Sequence, residues 1–580
     1  MCRLFVYGCS FLLLAMGACN VMGAAKRDDY HNCLGCHRGI EKISVNHQFP
    51  CEDCHLKIEN RCEKPLASHE EIIRNPSDPA HVDAFCMPCH KEDLENLRVS
   101  LHSTMAGIIN QTRYLWGAQQ SAVPALYGLS GPLKMLPQMD ASSYPETTGE
   151  LVDDFLRRRC LRCHIHTAGE RAPGLYRSTG CAACHMVYED DGLYRGDDEI
   201  IDKSKPGHPR RHEFSKLIPN RQCLHCHNKN HVGADYEGFF ESDYSWRYRT
   251  SSNSPPNSEH LYGLEQHRLS KDVHAQKGLW CIDCHTKTDV MGDGVLYHFQ
   301  MEVPKRTCIQ CHGGPDQAEP ERSIDAIISA GDGTFHFLLK GPSAPLTMKV
   351  YSTVPVAHGV TDHQSVRCSA CHSQWSYQDY GLSVIREDLN EEYKWHGLTT
   401  QGEPSIKDAL EQQMKQTNTG VSFSRDWISG QREVGIWSAG WRYRRWEFMP
   451  LGLDHTERFS ILRPRYQYYV SYTDRLGNVF LDSVLPERGD RSGRGWTYMP
   501  YVPHTTAPFG RSCHHCHLNE FAVGLGLVNA QTIETGLMIP SPPAITSMRL
   551  LSSQEQNKLL NPSAKWHRAR FRALTNKYSP

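Results

Sequence analysis

The sequence predicts a mostly irregular fold of short α-helices wrapped around a core that is not chiefly aliphatic, with a smaller β-rich C-terminal region. Three observations lead there. Only 39% of the 580 residues are apolar and the mean hydropathy is −0.54, which is thin for the three or four domains that such a length ordinarily holds. Twenty-four Cys stand beside 33 His. Beyond residue 312 the texture changes from turn-rich to strand-like.

The cysteines are ordered. Cys-x-x-Cys-His occurs ten times, first at Cys33/Cys36/His37, Cys51/Cys54/His55, Cys86/Cys89/His90, Cys160/Cys163/His164 and Cys181/Cys184/His185. The other five are Cys223/Cys226/His227, Cys281/Cys284/His285, Cys308/Cys311/His312, Cys368/Cys371/His372 and Cys513/Cys516/His517. Chance gives about 0.06 occurrences of this c-type haem pattern at these residue frequencies. The spacing has a chemical reason. Two thiols two residues apart reach both vinyl groups of one porphyrin as thioethers, and the adjacent His becomes the proximal iron ligand. Zinc sites also use Cys-x-x-Cys, but without a His after every second Cys. As disulfides, ten such small loops would fasten no distant segments. The reading is ten covalently bound haem c groups.

Motif spacing then shapes the fold. Eight motifs lie between Cys33 and His312, with 18 to 74 residues between successive first cysteines. Segments so short build no cores of their own, so stacked haems must form the interior, replacing aliphatic side chains. Breakers agree: Asn75-Pro76-Ser77-Asp78-Pro79, Pro206-Gly207-His208-Pro209 and Ser254-Pro255-Pro256-Asn257. The one long candidate helix runs from Leu94 to Leu115.

The remaining 23 His bear on the far side of each iron. Every interval leading to a motif holds at least one, and the distal candidates are His31, His47, His81, His102, His166, His212, His274, His298, His363 and His504. A His four or five residues ahead of a motif, such as His47 or His81, is too close to bend over its own haem and is expected to cap a neighbour. This supply favours bis-His over His/Met coordination, hence low potentials and ten six-coordinate irons.

The ends and the C-terminal half complete the plan. Residues 1–25 read as a signal peptide: Arg3 precedes the apolar run Leu4 to Met16. Gly17-Ala18-Cys19 resembles a lipoprotein box, which would place a lipid anchor on Cys19, whereas Gly23-Ala24-Ala25 suits ordinary cleavage. Either way the chain is exported, to the periplasm or to the outer membrane and cell surface. Residues 26–315 form the eight-motif region, 316–385 a short β segment with the ninth motif, 386–530 a β- and aromatic-rich region ending in the tenth, and 531–580 a tail. Thr334 to Leu339 and Leu346 to Tyr351 read as strands. Tyr466 to Tyr472 and Asn478 to Asp482 flank Asp474-Arg475-Leu476-Gly477 as a hairpin. Trp437, Trp441 and Trp446 read as aromatic core, and Lys565 to Arg572 as a solvated basic helix.

With its motifs and the stretches Asp272-Val273-His274, Cys281 to Thr286, Met291-Gly292-Asp293-Gly294, Pro503-His504-Thr505-Thr506 and Gly524-Leu525-Gly526, the chain resembles a known group. It is similar to the large periplasmic or outer-surface multihaem cytochromes of anaerobic metal- and mineral-respiring bacteria. The resemblance implies electron transport in anaerobic respiration, with redox proteins or an extracellular acceptor as partners. In similar cytochromes a further motif can follow the ninth, and its positions would fall on Asp379, Leu382 and Ser383, implying a lost haem. A net charge of −2 gives no case for nucleic acid. The competing class is a multihaem reductase or oxidoreductase with one five-coordinate iron acting on a small oxyanion or nitrogen compound. No motif has the Cys-x-x-Cys-Lys form of pentahaem nitrite reductases, and each interval offers a spare His, so an electron carrier is the expectation and no catalytic residue is assigned.

Cys62 is the one mature cysteine outside the motifs and the lipid site. It is expected to be inert: Cys62→Ser leaves haem content and oligomeric state unchanged, and loss of a dimer band on non-reducing gels would contradict this.

Overall fold

A computed structural model of the chain describes residues 33–56, 69–229, 233–241, 258–389, 422–446, 449–464, 468–485, 495–496, 498–523, 539–540 and 548–560. The leader, Cys19, His31, Cys62, the turn at 254–257 and the basic tail lie outside the described residues. No helix among the described residues is long and apolar enough to cross a membrane. Two compact units divide the chain: Met1–Lys91 with Tyr176–Lys216, and Glu92–Leu175 with Leu217–Pro580.

The first unit carries motifs one, two, three and five on short helical turns. Polar side chains tie its loops together. Glu41 accepts hydrogen bonds from the Tyr194 hydroxyl at 2.7 Å and from the backbone N–H groups of Asp197 at 2.9 Å and His212 at 3.1 Å. The Asn75 amide donates to Thr179 Oγ1 at 2.8 Å, while its carbonyl accepts from the Ser77 N–H at 3.1 Å. Such bonds net about 1 kcal/mol each, so a loop-rich unit needs many of them. Where the fifth motif begins, Gly180 has φ +61°, and a Cβ there would meet the Ser77 carbonyl oxygen at 1.7 Å. Only glycine fits.

In the second unit the long candidate helix is broken. The helical segment Met87–Val99, kinked at His90 (φ −112°, ψ 37°), ends, Ser100 is extended at φ −67°, ψ 158°, one turn covers Leu101–Thr104, and Met105 is left-handed at φ 53°, ψ 21°. Helix α1 then runs Ala106–Leu115. Propensity is a weak prior that tertiary contacts override; here both breaks flank the turn that carries His102. Helix α2, Thr148–Phe155, starts on a capping box in which Thr147 Oγ1 accepts from the Glu150 N–H and the Glu150 carboxylate accepts from the Thr147 N–H. It buries Leu151, Val152 and Phe155.

These helices pack on a β region. Its strands are β1 (Ser376–Glu387), β2 (Ile436–Trp446), β3 (Leu451–Asp454), β4 (Phe459–Pro464), β5 (Tyr468–Thr473), β6 (Val479–Leu485), β7 (Tyr498–Tyr501) and β8 (Met548–Leu550). One sheet has the order β2-β1-β5-β6 and the other β7-β4-β3-β8. The β5–β6 hairpin turns at Asp474, whose Oδ1 accepts from the Leu476 and Asn478 N–H groups. Phe335–Phe337 and Leu346–Thr347 pair antiparallel. Strand β1 is hydrogen-bonded on both edges, antiparallel to β2 and parallel to β5. Asp379, Leu382 and Ser383, the positions at which the resemblance implies a lost haem, therefore sit in a central strand.

The core between α1, α2 and the first sheet is aromatic and aliphatic, centred on fully buried Trp437. Trp437 meets Phe155 edge-on with ring centroids 5.0 Å apart, and Trp116 stacks on Phe155 at 5.2 Å. Trp441 and Trp446 lie on β2, with side chains outside the described residues. A buried ion network crosses this core. Asp154 pairs with Arg158 at 3.1 Å and with Arg386, and its Oδ2 accepts from Trp437 Nε1 at 2.7 Å. Asp388 accepts from Arg386 Nε at 2.9 Å and the Tyr472 hydroxyl at 2.7 Å. Burial alone would raise the Asp154 carboxyl, but Arg158 and Arg386 hold it below the ordinary value of 3.8.

Removing one member of such a network leaves uncompensated buried charge. Asp154→Asn is expected to cost ~3–5 kcal/mol, read as a lower Tm. A carboxylate with a depressed folded pKa stabilises fully above its unfolded value and loses that contribution as pH falls below it. The parent's Tm should therefore drop below about pH 4, and less so in the variant. Equal Tm for both at neutral pH would contradict the assignment.

Candidate haem sites

Positions i, i+3 and i+4 of a helix share one face, so a single turn of Cys-x-x-Cys-His projects both thiols and the imidazole together. Nine motifs form such a turn. Cys51–His55, Cys308–His312 and Cys368–His372 are α-helical throughout. In the motifs at 33, 86, 181, 223, 281 and 513 the His N–H donates to the first Cys carbonyl at 2.8–2.9 Å. The fourth is built differently: Cys160 closes a π-helical segment, Leu156–Cys160, and Leu161–Cys163 is a 3-10 turn. None of the twenty motif cysteines is joined in a disulfide.

Seven motif imidazoles each face one imidazole from elsewhere. In the first unit His90 faces His47 at a centroid distance of 5.9 Å and His55 faces His212 at 6.0 Å. In the second, His227 faces His102 at 6.0 Å, His312 faces His274 at 5.9 Å and His285 faces His504 at 6.3 Å. His372 faces His358 at 6.2 Å and His517 faces His363 at 5.9 Å. Metal–imidazole bonds of about 2.0 Å place two rings on opposite sides of one metal roughly 6.2 Å apart, centre to centre. Ordinary ring contacts also reach this distance. What ring packing does not explain is the repetition, always one motif His with one non-motif His.

Tautomer control supports the same use. A metal-binding His donates its other ring N–H to a fixed acceptor. Nδ1 donates to a backbone carbonyl in His55 (Ile73, 2.8 Å), His185 (Ser215, 2.9 Å), His212 (Glu41, 3.0 Å), His312 (Lys349, 2.6 Å) and His517 (Leu559, 2.6 Å). His358 and His363 do so to Ser352 at 2.7 Å and Ala357 at 2.9 Å. Carboxylates serve His37 (Asp198, 2.7 Å), His274 (Asp272, 2.7 Å) and His285 (Asp289). Each leaves Nε2 as the lone-pair nitrogen. Six of the facing rings are also shifted toward the neutral form that ligation requires. Burial first, then the facing His227, pushes His102 down to about 4. Burial is likewise the main cause lowering His47, His55, His312, His372 and His517.

Thiols of different motifs adjoin. Cys33 hydrogen-bonds Cys51, and Cys86 is pushed up to about 12 by burial and then by neighbouring Cys181 and Cys54. Cys223 hydrogen-bonds Cys281, Cys284 neighbours Cys311, Cys308 hydrogen-bonds Cys368, and Cys371 neighbours Cys516. These contacts link motifs one, two, three and five in the first unit, and six through ten in the second.

In motifs one, three, five and six the contacts just described run through the first sulfur: Cys33, Cys86, Cys181 and Cys223. The second sulfurs of the same motifs differ in exposure. Cys36 and Cys89 are exposed, and Cys184 and Cys226 are half-buried. The turns themselves remain intact. Cys36 closes the helix Cys33–Cys36, and the N–H groups of Cys89, Cys184 and Cys226 donate to the carbonyls of Cys86, Cys181 and Cys223 at 3.2, 3.2 and 3.1 Å.

The donor set fits haem. A porphyrin already gives iron four nitrogens, so two imidazoles complete it. No group of three or more His, Cys, Asp or Glu suited to a bare metal ion occurs among the described residues.

Of the sequence-derived distal candidates, His47, His102, His212, His274, His363 and His504 stand opposite a motif His. His298 does not: its Nδ1 accepts from the Ala125 N–H at 3.1 Å. His81 begins the short helix Val82–Phe85, and His166 lies beside His164 with centroids 5.6 Å apart. His358 escaped the sequence reading, which took one His per interval. The signal was present, because the interval before Cys368 holds both His358 and His363. No family model, curated protein or solved structure matches this chain.

His102→Ala should convert one low-spin centre to high-spin and add one carbon monoxide-binding haem per chain relative to the parent. His298→Ala should do neither. Identical spectra for both variants would contradict the pairing.

Proposed function

We infer that this chain is an exported decahaem c-type cytochrome that transfers electrons through closely spaced, low-potential bis-His haems. The observation that carries this is the combination of ten Cys-x-x-Cys-His motifs with seven motif/non-motif imidazole pairs at single-iron spacing. Haem iron supplies reversible one-electron redox chemistry. The chain's own residues set its terms. Paired imidazoles in place of a Met ligand favour a low potential. Fixed acceptors on Nδ1, such as Asp272 and Asp289, raise the basicity of the coordinating nitrogen and lower the potential further. Rigid ligands keep reorganisation small when charge changes.

The adjoining thiols bring successive motifs within contact, as transfer along a row of centres needs. A redox protein or an extracellular acceptor would serve as partner, in anaerobic respiration, with the chain in the periplasm or at the cell surface.

Intact-protein mass spectrometry should find the processed polypeptide plus ten haems, and reductive titration should take up ten electrons per chain. Eight haems or fewer would overturn the reading. Expression without cytochrome c maturation should give polypeptide that fails to fold, because the macrocycles stand in for core side chains.

A further inference from the structure

The row of motifs seven to ten in the second unit is electrostatically uneven. Thiol contacts give its order: Cys284 neighbours Cys311, Cys308 bonds Cys368, and Cys371 neighbours Cys516. What holds each facing imidazole changes along that order. At motif seven His285 donates to the Asp289 carboxylate, and Asp235 lies behind His504. Asp235 is fully buried, and its Oδ2 accepts from the His504 backbone N–H at 2.9 Å and the Tyr501 hydroxyl at 3.2 Å. Its Oδ1 has no hydrogen-bond partner among the described residues and stands 3.7 Å from His504 Nδ1. At motif eight His274 donates to Asp272 at 2.7 Å and His312 to the Lys349 carbonyl at 2.6 Å. At motifs nine and ten uncharged backbone serves all four rings: Ser352 for His358, Ala507 for His372, Ala357 for His363 and Leu559 for His517.

Charges beside the thiols follow the same trend. Asp283 and Asp272 act on Cys284 against Arg306, and Arg306 and Glu321 act on Cys311 with opposite signs. Farther along, Arg458 acts on Cys368, and Arg511 on both Cys371 and Cys516. Arg511 is fixed there, its guanidinium donating to the Ser373 and Gln374 carbonyls at 2.8 and 2.9 Å. Burial works against the carboxyls of Asp289 and Asp272, yet their bonds to His285 and His274 hold both below the ordinary 3.8. Burial, opposed first by His504, leaves Asp235 raised, so Asp289 and Asp272 carry the contrast. An anion beside an iron favours the more positive ferric state, and a cation favours the ferrous one.

We propose that these fixed charges grade the row, so that motifs seven and eight hold its lower-potential haems, motifs nine and ten its higher-potential ones, and electrons collect at the C-terminal end. The ordering rests on the haem reading above and gives it a direction. The electron that one iron loses is gained by the next, so no co-reactant is required.

The test is spectroelectrochemical titration of the holoprotein, with haem content counted by intact mass and ligation followed by low-temperature EPR. Cys513→Ser/Cys516→Ser should lose one haem, and the component missing from its curve should lie at higher potential than the one missing in Cys281→Ser/Cys284→Ser. Asp289→Asn keeps an acceptor for His285 but not the charge. With ten haems and low-spin signals retained, the low-potential end of its curve should move up. Asp482→Asn, exposed on β6, removes the same charge and should leave the curve in place. Should a cysteine variant fail to fold, Asp289→Asn alone decides. Equal or reversed components in the cysteine variants would overturn the ordering while leaving the electron-transfer reading intact. So would an Asp289→Asn curve that coincides with the parent's. A parent without haem would remove that reading and the ordering with it.

Discussion

An imidazole presents Nε2 to a metal in a fixed direction only when Nδ1–H is held by an acceptor, and much of this molecule is organised around meeting that condition many times over. The acceptors are mostly backbone carbonyls from loops, Ile73 for His55, Ser215 for His185 and Lys349 for His312, with Leu559 in the last turn of the helix Ser553–Leu560 serving His517. This explains why irregular chain is useful here. A carbonyl inside a helix or sheet is already engaged in its ladder, whereas a loop carbonyl is available to orient a side chain. The cost is loop entropy, and polar cross-ties such as Glu41 and Asn75 offset it in the first unit.

The second unit adds a conventional core, which anchors the motif segments that approach it. Trp437 and Phe155 lock α2 to the first sheet, and the Asp154–Arg158–Arg386 network crosses the same interface. A buried ion network is poor evidence of extra stability, but breaking it is costly, so it fixes geometry firmly. The fourth motif follows directly from Arg157 and Arg158, and the same rigidity that sets its turn also turns His164 toward Thr167. Structure imposed by a β region thus reaches the fourth motif through two residues.

What could be read from sequence was local. Cys and His at i, i+3 and i+4 need only one helical turn, and the Asp474–Gly477 turn needs only its own hydrogen bonds. The pairing of imidazoles was not local. His212 reaches back to His55, and His504 stands opposite His285 past two intervening motifs. No spacing rule encodes such partners, because loop paths closed by distant contacts decide them. The same holds for which sulfur of a motif meets its neighbour: Cys86 and Cys89 are alike in the motif, yet Cys86 adjoins Cys181 while Cys89 is exposed. The broken helix has the same origin. Nothing in Ser100 or Met105 as residue types forbids helix, yet their conformations aim His102 at His227. The parallel pairing of β1 with β5 likewise lacks a local signal.

Near-infrared magnetic circular dichroism of the oxidised holoprotein tests the central claim most directly, since the charge-transfer band of low-spin ferric haem reports its axial ligand pair. Paired imidazoles predict a spectrum dominated by bis-His intensity, with no His/Met band. A dominant His/Met band, or high-spin features from most of the haems, would contradict the account.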